Sequence, residues 1–229
     1  MQANLIDFIR SSLNLTVAVA QLLTSAIVWM GKGEPVAVQL SDLSSPLTPA
    51  SWGLVISPAI TLGGLIFAFD QIRFSRAADP VYRSIGWLTS AALAAAIIWQ
   101  IIVIRNGLTL TSLGVASLAV LCAALANVRL GRQKLPLEQR IRWRAAIYVG
   151  AFTGWMTVLA VANAVPLVEA GMLNPPDWRS ASGSVLLFAV SVGAAVTQWQ
   201  SRGSPWFALA FCWALSAIAY NASVKRPPK

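Results

Sequence analysis

Residues 147–165 read IYVGAFTGWMTVLAVANAV. The run is free of charge and long enough to cross the hydrocarbon core of a bilayer. Gly150 and Gly154 stand four residues apart, a spacing that lets two helices approach closely in lipid. Asn163 is its one amide side chain. An amide buried in an apolar run must find a hydrogen-bond partner. The stretch therefore predicts a helix inside a bundle, touching several others.

The rest of the chain agrees with that environment. Of its 229 residues 57% are hydrophobic and only 11% charged, with a mean hydropathy of +0.66. That composition belongs to a polytopic membrane protein. The net charge of +9 would suggest nucleic-acid binding in a soluble protein. Here the positive residues sit in short loops between apolar runs, where anionic headgroups and topology account for them, so no nucleic-acid partner is expected. There is no His, which removes the commonest metal ligand and proton shuttle. Cys122 and Cys212 both lie in apolar runs and read as small hydrophobes, with no disulfide or metal site expected.

Seven spans are predicted: Leu13–Met30, Ala50–Phe69, Ile85–Ile104, Leu108–Val128, the stretch ending near Val168, Gly183–Trp199 and Trp206–Asn221. Residues 1–12 read as a short interfacial helix. The first span is polar, with Asn14, Thr16, Gln21, Thr24 and Ser25 needing partners in the bundle. Thr48 and Pro49 read as the N-cap and first residue of the second helix, and Pro58 as a kink. Gly63 and Gly64 allow close packing just beyond, and the Ala91–Ala96 run presents a smooth face. Residues 70–83 read as a charged loop. The most basic loop holds Arg129, Arg132, Lys134, Arg140, Arg142 and Arg144 against Glu138 alone. By the positive-inside rule the N-terminus is cytoplasmic.

Nine of the ten tryptophans divide by position. Trp29, Trp87, Trp143, Trp199 and Trp206 fall near span ends, as an aromatic belt requires. Trp52, Trp99, Trp155 and Trp213 lie within or near the tops of spans, where an indole either finds a partner for its N–H or stacks on a flat ligand. Asn163 reads as helix-to-helix glue or as a polar contact to a ligand. Arg105 and Arg144 read as snorkelling side chains, or as partners for a ligand carboxylate. No nucleophile–base pair, paired carboxylates, P-loop or dinucleotide fingerprint is present, so no enzyme is expected.

Two separated segments resemble a known family. SDLSSPLTPASWGLVIS (Ser41–Ser57) and GWMTVLAVAN (Gly154–Asn163) look like the helix-two opening and helix-five core of the tryptophan-rich sensory proteins. These are the bacterial branch of the translocator protein, or peripheral benzodiazepine receptor, family. IGWLTSAALAAAIIW (Ile85–Trp99) resembles that family's third helix. The likeness covers about residues 13–168, and the family's long forms continue with further helices.

The resemblance implies an all-α, polytopic transmembrane bundle: a five-helix core over residues 1–170 with a long loop at 31–48. An additional two-helix hairpin at 171–222 and a basic disordered tail at 223–229 complete the expected organisation. It implies a binding and regulatory protein of a bacterial inner, or thylakoid-type, membrane that takes a flat hydrophobic ligand (a tetrapyrrole such as protoporphyrin, a sterol or another lipid) between its helices. The ligand-binding residues it points to are Thr48, Pro49, Trp52, Trp99, Phe152, Trp155 and Asn163. Membrane lipids and a homodimer partner are the other expected contacts. The chain departs from the family pattern at Ser57 (Trp in the family), Thr61 (Tyr), Ala96 (Asn) and Phe152 (Tyr). Those losses motivate an alternative, an accessory structural subunit of a larger membrane complex, perhaps pigment-bearing.

Overall fold

Asn4 and Asp7 open the first helix reciprocally. The Asp7 amide donates to Asn4 Oδ1 at 2.9 Å and the Asn4 amide to Asp7 Oδ2 at 3.2 Å, so two otherwise orphaned donors are satisfied at once. The helix they start, α1 (Leu5–Trp29), is continuous, which corrects the expectation of a separate interfacial helix over 1–12. The reason is tertiary: Asp7, Arg10, Ser11 and Asn14 are all buried and face a neighbouring helix. In the computed structural model, residues 4–30, 48–73, 76–133, 139–169 and 182–224 are described. The predicted long loop at 31–47, the segment 170–181 and the end of the tail lie outside the described residues.

Six further α-helices follow: α2 (Ile56–Ile72), α3 (Pro80–Asn106), α4 (Leu110–Arg132), α5 (Gln139–Glu169), α6 (Ser182–Gln200) and α7 (Pro205–Val224). No strand occurs among the described residues. All seven predicted spans coincide with helices, six of which are long and apolar enough to cross a membrane by length and composition.

Local chemistry sets the boundaries. Asp79 caps α3 by accepting from the Val81 amide at 2.8 Å, with Pro80 in the first turn. That Asp-Pro start puts Tyr82 and Arg83 inside α3, and Asp70 ends up inside α2, so the charged loop expected over 70–83 is shorter. Gly107 turns the chain at a φ of 74°, where glycine carries no steric penalty. Thr109 and Ser112 then form a capping box at the start of α4. The start of α2 differs from the expectation of a helix capped by Thr48 and kinked at Pro58. Residues Ser51–Val55 form a 3₁₀ turn, and α2 begins at Ile56. Pro58 thus falls in the first helical turn, where its missing N–H costs no intrahelical bond.

The first five helices close a ring in the spatial order α1, α2, α5, α4, α3, with α3 and α4 sharing the largest contact. Ala92, Ala95 and Ala96 of α3 and Ala116, Ala119, Ala123 and Ala126 of α4 are all buried. Small side chains let helices pack closely where water supplies no driving force between them. Helix α7 runs beside α5, and α6 packs against both α5 and α4.

Gly150 and Gly154 make the α5–α7 approach. A Cβ on Gly150 would lie 2.8 Å from Ser204 Oγ and 2.9 Å from the Phe207 amide; one on Gly154 would lie 2.6 Å from the Phe207 carbonyl. Helix α7 also holds the 3₁₀ turn. The Ala50 amide donates to the Ala217 carbonyl at 3.1 Å, Trp213 Nε1 to the Gly53 carbonyl at 3.0 Å, and Asn221 Nδ2 to the Thr48 carbonyl at 2.9 Å. Backbone that leaves regular α-helical geometry at membrane depth needs such partners.

Candidate functional site

A cavity of about 290 Å³ lies between α1, α2, α3 and α5. Along α5 its wall is Tyr148, Phe152, Trp155, Met156 and Leu159, spaced so that successive members fall on one helical face. Opposite stand Gln21, Leu22 and Ser25 of α1, with Leu93, Ala96, Trp99 and Gln100 of α3. The α2 side contributes Ser57, Pro58, Ile60, Thr61 and Leu62, and Leu54 of the 3₁₀ turn completes the wall. None of these residues carries a formal charge, and no cluster of His, Cys, Asp or Glu suited to a metal occurs among the described residues.

The residues singled out in the sequence divide between two places. Trp99, Phe152 and Trp155 line the cavity and are 5%, 8% and 3% exposed. Trp52 instead packs edge-on against Trp213, centroids 5.3 Å apart, and against Tyr220 at 6.1 Å. Thr48 meets Asn221 through its carbonyl and hydroxyl, and Pro49 is buried beside it. The structure therefore sets Trp52 and Thr48 against α7, outside the cavity lining. Asn163 lies outside the lining too. Its Oδ1 accepts from Trp99 Nε1 and Ser112 Oγ, both at 2.9 Å, and its Nδ2 donates to the Thr109 carbonyl at 3.4 Å. One amide thus ties α3, α4 and α5 together, and it sets the orientation of a tryptophan that does line the cavity. All four positions at which the chain departs from the family pattern, Ser57, Thr61, Ala96 and Phe152, line the cavity.

Tyr148, Gln21, Gln100 and Ser25 are polar lining residues that were missed as site residues. Gln21 Nε2 donates to Gln100 Oε1 at 3.0 Å, which answers the need for partners in the polar first span. Tyr148 lies one turn before Phe152 on the same face, so the helical period alone could have found it. Gly63 and Gly64 receive its ring. A Cβ on Gly64 would lie 3.0 Å from Tyr148 Oη, and one on Gly63 3.7 Å from its Cδ2.

The end of the bundle where α1 starts is closed by two ion-pair clusters. Asp7 accepts from Arg10 Nη1 at 2.9 Å and from Arg83 Nη2 at 2.5 Å, while Arg10 Nη2 donates to the Ala77 carbonyl. Asp70 accepts from Tyr82 Oη at 2.5 Å, from Arg144 Nη1 at 2.8 Å and from Arg76. Arg144, expected to snorkel or to meet a ligand carboxylate, is thus paired within the chain. Trp87, Trp143 and Trp199 are 47%, 50% and 86% exposed, as tryptophans of an interfacial belt would be.

A ring of apolar helices around an uncharged internal cavity, with arginines gathered at one end, defines a polytopic integral membrane protein. The chain belongs to the TSPO-like protein family, whose model matches residues 11–228 and so includes all of α6 and α7. No curated protein and no solved structure matches it.

Proposed function

We propose that the protein is a membrane binding and regulatory protein that takes an apolar small molecule into the cavity between α1, α2, α3 and α5. The observation that carries this reading is the lining itself. Trp99, Phe152 and Trp155 bring three aromatic faces to one uncharged space, and concave, mostly apolar sites with a few polar groups are what small ligands occupy. Within the classes that the resemblance implies, tetrapyrrole, sterol or other lipid, such a lining supports the uncharged and lipid-like ones best. The alternative of an accessory subunit drew on the lost cavity residues and on faces of small residues. Those faces have partners within the chain: the Ala92–Ala96 and Ala116–Ala126 stripes bury in the bundle, and Gly150 and Gly154 meet α7.

The test is a titration of purified protein in detergent with protoporphyrin, a sterol and a linear isoprenoid alcohol, read by tryptophan emission. At least one probe should change the emission saturably, and the cavity-filling Ala96→Phe should remove that response. Binding that survives Ala96→Phe unchanged would place the ligand elsewhere.

A further inference from the structure

We propose that the rim where α4 meets the α6–α7 turn binds one anionic phospholipid, its phosphate held by Arg129, Arg132 and Arg202 and an acyl chain laid along α4. This site is separate from the cavity and does not depend on what the cavity holds. Arg202 stands in the turn at a φ of 57°, the left-handed region that favours glycine. The Gly203 amide donates to the Gln198 carbonyl at 2.9 Å and the Arg202 amide to the Trp199 carbonyl at 3.0 Å, a helix ending whose left-handed position is usually glycine. Here an exposed arginine fills it, and its side chain has no hydrogen bond or ion pair among the described residues. A side chain held where glycine would be free of strain points to a use for that side chain.

Two more arginines lie close by on α4. A Cβ on Gly131 would overlap the Ser201 carbonyl, so the end of α4 rests directly on the turn. Beside that contact Arg132 Nη2 donates to Gln200 Oε1 at 3.3 Å, and Arg129 Nη1 donates to the Ser84 carbonyl of α3 at 3.2 Å. Both acceptors are neutral. The carboxylates described at this end are committed elsewhere: Asp7 to Arg10 and Arg83, Asp70 to Arg76 and Arg144, and Asp79 to the cap of α3. Three exposed guanidinium groups are thus left without an anion among the described residues.

The face of α4 above them is apolar. Leu118, Leu121, Leu125, Arg129 and Arg132 follow at three- and four-residue intervals and are all exposed, so they share one side of the helix. From Leu118 to Arg129 the rise is about 16 Å, half of the roughly 30 Å hydrocarbon core. Exposed Trp87 and Trp199 flank the rim, one turn beyond Ser84 and just before Gln200, which sets it at headgroup depth. Leucines over one leaflet, ending in arginines, match the acyl chain and phosphate of a single phospholipid. Guanidinium groups bind phosphate by charge-assisted hydrogen bonds. A zwitterionic headgroup carries its own cation and gains less from them, so the site favours an anionic lipid.

The experiment is native mass spectrometry of the whole chain in detergent, offered equal amounts of dioleoyl phosphatidylglycerol and dioleoyl phosphatidylcholine. Phosphatidylglycerol should be retained preferentially by about a hundredfold, at about fivefold per arginine. The triple variant Arg129→Gln, Arg132→Gln, Arg202→Gln should lose the preference. Arg105→Gln, at an exposed arginine of the opposite end, should keep it. Arg202→Gly tests the turn by itself and serves if the triple variant does not fold. It should raise the unfolding temperature in lipid-free detergent, because the left-handed position no longer carries a Cβ, and should still cut the preference about fivefold. No preference in the wild type, a preference that survives the triple variant or Arg202→Gly undiminished, or an equal loss in Arg105→Gln overturns the site. Displacement of the lipid by millimolar glycerol phosphate would assign the arginines to a soluble anion and overturn the lipid.

Discussion

The indole N–H of Trp99 donates to the side-chain oxygen of Asn163 at 2.9 Å, and the same oxygen accepts from Ser112. One atom thereby couples the third, fourth and fifth helices and locks the face that Trp99 turns to the cavity. The bond lies deep among apolar residues, where no water competes, so its loss leaves donors without partners.

Removing that acceptor has a definite signature. Asn163→Ala should destabilise the protein by about 1–3 kcal/mol, measured by thermal or denaturant unfolding in a fixed detergent. Trp99→Phe should cost less, and the double variant should cost little more than Asn163→Ala alone. Strict additivity would mean that the two side chains are not coupled.

The parallel approach of α7 to α5 rests on missing Cβ atoms. Gly154→Ala places a methyl 2.6 Å from the Phe207 carbonyl, a backbone atom that cannot swing aside. Overpacking of this kind costs about 1–3 kcal/mol. The same substitution at Gly114, where a Cβ would meet nothing within 4 Å, should leave the unfolding midpoint unchanged or raised.

Helix α7 reaches the cavity through the 3₁₀ turn that it holds. Trp213 and Asn221 donate to the Gly53 and Thr48 carbonyls, and that turn carries Leu54 into the lining. The pair Trp213→Phe and Asn221→Ala should therefore weaken binding of the cavity probe several-fold, although neither residue lines the cavity. An unchanged affinity would separate the C-terminal helices from the site.

At the opposite end, Asp7→Ala leaves Arg10 buried without its carboxylate. Asp7 and Arg10 are each 2% exposed, and breaking a buried pair from one side costs about 3–5 kcal/mol. Protease cleavage near the start of α1 should rise in step with the loss of stability. Asp70→Asn should be milder, because its oxygen can still accept from Tyr82.

Much of this was legible in the chain, and for identifiable reasons. Apolar runs located all seven helices, six of them long and apolar enough to cross a bilayer, since a span must satisfy its backbone internally and leaves few other choices. The family resemblance pointed to Trp99, Phe152 and Trp155, and all three line the cavity. Where the reading went astray, the missing quantity was a distant partner. Trp52 and Thr48 looked like cavity residues because they open the second helix, but Trp213, Tyr220 and Asn221, some 160 positions away in the case of Trp213 and Gly53, hold that opening against α7. Residues 1–12 looked interfacial because their burial depends on Arg83 and Ala77 of another segment. Tyr148 passed unnoticed because the residues that fix its ring, Phe67 and Gly64, lie on another helix. Hydropathy is a local property, so the sequence by itself determined which segments are helices. Which polar atoms find partners, and which side chains line a cavity, depends on how separate helices are juxtaposed, and only the tertiary structure decided that.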